Sequence, residues 1–78
     1  MKFVKVKDTE LKVGDIAWDV PSYRYYATKF EVVSINLANN TLYVKYIGGR
    51  AFGGIKLNET IELFISGYTW YREEASND

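Results

Sequence analysis

The sequence predicts an all-β domain, a small closed or nearly closed barrel of five or six short strands, and three observations carry that prediction. Apolar and polar residues alternate with a period of two along most of the chain, and helical periodicity is nearly absent. Turn-forming residues punctuate the alternation at Gly14, Asn39-Asn40, Gly48-Gly49, Gly53-Gly54 and Gly67. The chain has 78 residues, enough for one domain and too few for two. At that size folding buries about 63% of the unfolded surface, a thin core. A flat sheet would leave one apolar face wet and two edges open, so curvature is favoured. A two-layer sandwich is the second choice, since it usually needs about 100 residues.

Each element follows from its pattern. In the opening strand Val4 and Val6 share one face, with Phe3, Lys5 and Lys7 on the other. Gly14 then supplies a turn conformation that a β-carbon resists, and Asp15 reads as the turn residue following it. Ile16, Trp18 and Val20 point one way and Asp15, Ala17 and Asp19 the other; the larger set reads as the core face. Pro21 ends that strand because proline cannot donate to a ladder. In the central hairpin Phe30 and Val32 share one parity, whereas Val33, Ile35 and Leu37 share the opposite one, which predicts a β-bulge at the switch. Asn39-Asn40 makes the turn, since asparagine tolerates positive φ. The return strand covers residues 41–47 and is broken by Gly48-Gly49; further strands cover about 60–66 and 68–72. The predicted core comprises Ile16, Trp18, Val32, Ile35, Leu42, Val44 and Leu63. The domain is placed at residues 1–72, with 73–78 as an acidic tail.

Composition excludes several functions. There is no cysteine and no histidine, which removes disulfides, thiolate metal sites and the commonest general base. The carboxylates have no metal-loop spacing, so no metal and no cofactor are expected. Asp15 and Asp19 are about 13 Å apart along one strand, too far for a paired-carboxylate glycosidase, and no catalytic residue is assigned. Lysines interrupt the first residues before a signal-like apolar run forms, and no stretch approaches a membrane span, so a cytoplasmic, non-membrane protein is expected. Charge sums to zero but is split: residues 1–58 carry nine cations against five anions, and residues 59–78 one cation against five anions. A neutral total argues against a non-specific grip on nucleic acid.

The run Val13-Gly14-Asp15-Ile16-Ala17-Trp18, the long loop after it, Val32-Val33-Ser34-Ile35 and Tyr43-Val44-Lys45-Tyr46 together resemble an SH3-like barrel of the Tudor or KOW kind, over roughly residues 11–66. A weaker resemblance is to short phage and prophage proteins that share the Gly-Asp opening and the central hairpin. Their acidic closing segment is similar to Tyr71-Arg72-Glu73-Glu74-Ala75. The likeness implies the SH3-like fold, and a small protein that acts by occupying a partner's surface.

Aromatics are unusually abundant, at 17% of the chain. Tyr23, Arg24, Tyr25 and Tyr26 lie in the long loop after the first core strand, and loops run over the surface. The rings read either as a contact surface for a partner or as a lid over an undersized core. Arg50 and Phe52, from the glycine-flanked segment that follows the hairpin, extend the expected partner-binding surface. No helix follows those glycines, so a phosphate-cradling loop is not indicated. The function expected is therefore a non-enzymatic module binding a protein partner. The alternative is a nucleic-acid-binding face using Lys29, Lys45 and Arg50 beside aromatic rings.

Overall fold

The alternation read from the sequence becomes strands β1 (Lys2–Val6), β2 (Ile16–Asp19), β3 (Thr28–Asn36), β4 (Thr41–Gly49), β5 (Thr60–Phe64) and β6 (Trp70–Glu74). A computed structural model describes residues 2–20 and 27–74. All strand pairs are antiparallel, in one sheet of order β1-β6-β2-β3-β4-β5. The chain is thus all-β. The expected closure into a barrel is not made by a ladder: among the described residues no strand pairs β1 with β5, which are the two edges of the sheet. The core is covered instead by the 3-10 turn Ile65–Gly67 and by Phe52, Ile55 and Tyr68, which pack on it from outside the ladder. Among the described residues no helix is long and apolar enough to cross a membrane.

The turns obey the expected chemistry. Gly14 has φ +92°, its N–H donates to Val32 C=O, and Asp15 Oδ2 accepts from Lys12 N–H. Asp15 is therefore a turn residue. Leu37–Asn39 form a 3-10 turn that Asn40 ends in the left-handed region, at φ 55°. The β3–β4 register shifts between Val32 and Ser34, which is the expected bulge, and Ile35 returns to the core face after it.

Some boundaries move. Gly48-Gly49 does not break β4 but ends it, opposite Lys29 and Thr28. Gly49 lies at φ +73°, and a β-carbon there would collide with the Ala27 carbonyl. Close approach requires glycine at this seam. β5 stops at Phe64 rather than Ser66. β6 starts at Trp70 rather than Tyr68 and runs on to Glu74, so Glu73 and Glu74 belong to a strand rather than to a tail. Residues 75–78 lie outside the described residues.

Two of the predicted core residues change sides. Val32, Leu42 and Val44 are buried, and Ile35 and Leu63 pack against the core. On β2, however, Ala17 (2% exposed) faces inward, whereas Ile16 (41%) and Trp18 face outward. The reason is volume. Ala17 stands opposite Phe30, whose ring is already met edge-on by Tyr46, Phe52 and Trp70 at centroid distances of 6.3, 5.5 and 6.2 Å. Only a small residue fits across from it.

Candidate binding surface

The strand register determines what the outer face of the sheet displays. Phe3, Lys5, Tyr71, Trp18, Lys29, Glu31 and Lys45 all carry the parity opposite to the core residues of their strands. Trp18 lies directly across from Tyr71 on one side and Lys29 on the other. Phe3 meets the Trp18 ring edge-on, with centroids 5.1 Å apart, and the Lys29 ammonium stands 5.5 Å from the same ring. All four side chains are half-buried. They make an aromatic platform with one cation drawn onto it by the ring quadrupole. Trp18 Nε1 is buried and has no hydrogen-bond partner among the described residues.

This platform stands at the end of the sheet from which the long loop leaves. Trp18 and Lys29 are each within three residues of residues 21–26. Arg50 is tied to the same end: its N–H donates to Ala27 C=O at 2.9 Å, and its C=O accepts from Thr28 Oγ1 at 3.0 Å. Asp19 also lies there, opposite Thr28 and Trp70, and burial pushes its carboxyl above the usual carboxylate range.

The sequence-predicted site residues divide accordingly. Arg50 and Lys29 are brought to one end of the sheet. Lys45 shares the outer face with Lys29 but lies further along it, with its Nζ 3.6 Å from Glu31 Oε1. Phe52 goes elsewhere: its half-buried ring packs on Phe30 at 5.5 Å and Tyr68 at 5.9 Å, over the core. Tyr23, Arg24, Tyr25 and Tyr26 lie outside the described residues. Sequence reading missed Phe3 as a member of a surface and placed Trp18 in the core. A signal did exist, because Phe3 and Tyr71 are each out of phase with an apolar neighbour that takes the core position, Val4 and Trp70.

Apart from the platform, a concavity of about 320 Å³ opens where β2 and β6 splay apart beyond their two paired positions. Its wall carries Lys5 and Arg72 against Glu10 and Asp15, so it selects no sign of charge. Compared with protein families, curated proteins and solved structures, the chain matches none of them.

Proposed function

We propose that this chain is a non-enzymatic binding module with an SH3-like fold, and that it holds a protein partner on the loop end of its outer face. The fold reading is supported by the meander β2-β3-β4-β5, the bulged and bent β3, and the return of β6 to β2 through a 3-10 turn. The observation that carries the binding reading is the half-exposed platform of Phe3, Trp18 and Tyr71 with Lys29 above the Trp18 ring. Rigid rings give large contact area at small entropic cost, and a cation at their border adds a charge-assisted contact. Nucleic acid fits less well: Lys45 is offset by Glu31, and the whole chain is neutral.

Two double variants separate the surfaces. Trp18→Ser with Tyr71→Ser removes the platform, and Tyr25→Ser with Tyr26→Ser removes the loop rings. Affinity capture from the source cell, quantified against wild type, should lose the same partner with the first pair while circular dichroism stays unchanged. Equal recovery with both pairs would overturn the reading. Micromolar binding to labelled oligonucleotides that weakens steeply with salt would replace it with the nucleic-acid alternative.

A further inference from the structure

The two free edges of the sheet are built differently, and they complement each other. Edge β1 (Lys2–Val6) carries cations at Lys2 and Lys5, the kind of charge that guards an edge against pairing. Edge β5 (Thr60–Phe64) reads Thr-Ile-Glu-Leu-Phe, with a single charge and no proline, and Phe64 is 64% exposed. Alongside it lies an apolar recess of about 440 Å³ lined by Leu63, Phe64, Gly67 and Tyr68, with Thr41 and Glu62 at its border.

The free hydrogen-bonding groups on both edges follow from the ladder. Tyr46 N–H donates to Glu59 C=O, and antiparallel bonding then alternates, so Ile61 and Leu63 bond to β4 while Thr60, Glu62 and Phe64 turn their N–H and C=O outward. On the other side Val32 N–H donates to Asp15 C=O. The same alternation carried through β2 and β6 leaves Phe3 and Lys5 as the outward residues of β1.

We propose that these edges recognise each other between copies of this chain: β1 of one molecule adds antiparallel to β5 of the next, with Lys5 opposite Glu62. That single register satisfies every position. It sets Phe3 against Phe64 on the outer face. On the core face it sets Val4 against Leu63 and Val6 against Ile61, matching the faces these residues already occupy. Because every adjacent pair in the sheet is antiparallel, continuing it from β5 into a neighbour's β1 preserves strand direction. Sliding by two residues sets Lys2 against Leu63, or moves Phe3 past the end of β5, so the charges and rings select one register. The contact is heterologous, and it grows as a series of copies or closes as a ring.

The test is sedimentation velocity of the full chain over a concentration series from about 10 µM to about 1 mM, a range suited to a small interface. Wild type should gain mass with concentration. Lys5→Glu or Glu62→Lys alone should weaken association about tenfold, and the two together should restore it. Glu62→Pro deletes an outward N–H without touching the β4 ladder, and should abolish association while leaving circular dichroism unchanged. A wild-type monomer at every concentration overturns the proposal, as does a double swap that fails to recover what the single changes lost. If Glu62→Pro unfolds the chain, the charge-swap pair decides alone.

Discussion

Trp70 and Trp18 stand on neighbouring strands and turn to opposite faces of one sheet. Trp70 is fully buried, lies among Phe30 and Tyr68, and donates from Nε1 to Ile65 C=O at 3.1 Å. Trp18 is half-buried against Phe3 and Lys29, and its Nε1 donates to none of the described residues. The same side chain is a satisfied core residue in one place and part of an incompletely satisfied surface in the other. A buried indole without an acceptor is costly, so the two tryptophans differ in what their polar atom contributes to stability.

The largest effect expected from breaking this contrast is at Trp70. Trp70→Ala should cost about 3–5 kcal/mol, most of the stability of a domain this small, whereas Trp18→Ala should leave a folded protein. Urea unfolding followed by circular dichroism reads both; equal losses would put the two tryptophans in one core. Next comes the seam where β4 meets the start of β3, which carries Phe30 to one face and Lys29 to the other. Gly49→Ala sets a β-carbon against the Ala27 carbonyl at positive φ and should cost about 2 kcal/mol or more. A neutral result in thermal unfolding would mean that the seam yields freely.

Milder substitutions sharpen the comparison. Trp70→Phe strands the Ile65 carbonyl and should cost about 1–3 kcal/mol, while Trp18→Phe removes an unpaired donor and should change stability by less than about 1 kcal/mol. If Trp18→Phe is the worse of the two, the indole has an acceptor in solution. The smallest effect concerns Asp19, whose carboxyl burial raises above its ordinary value. A raised folded-state pKa favours the fold while the group is protonated, and that advantage is lost as pH rises through the folded value. Asp19→Asn should therefore be more stable than wild type at pH 7, with the gap vanishing below about pH 4. Paired urea titrations at the two pH values check it, and a gap that widens on acidification contradicts the burial of Asp19.

Much of the ladder could be read from residue types. The parity switch at Val32 and Val33 became a bulge, Gly14 and Asn40 took positive φ, and Asp15 closed its own turn. The orientation of β2 could not be read, because alternation tells which residues share a face but not which face is inside. Ile16 and Trp18 outweigh Ala17 in apolar area, yet the space opposite Phe30 admits only the smaller side chain. Phe52 was legible as an aromatic in a glycine-flanked segment, but nothing periodic there indicates that its ring folds back onto Phe30. The aromatic platform was hidden for a related reason: its rings come from β1, β2 and β6, and the pairing that unites them joins opposite ends of the chain.

That pairing has a kinetic meaning. β2, β3, β4 and β5 form a meander whose contacts are close in sequence, but Trp70 reaches its place only when β6 lies between β1 and β2. The loop joining Val6 to Trp70 spans nearly the whole chain, and its closure entropy must be lost before any contact of Trp70 compensates for it. The β1–β6 pairing that seats Trp70 is thus the ladder of longest sequence separation in the sheet, and the one whose closure costs the chain most entropy.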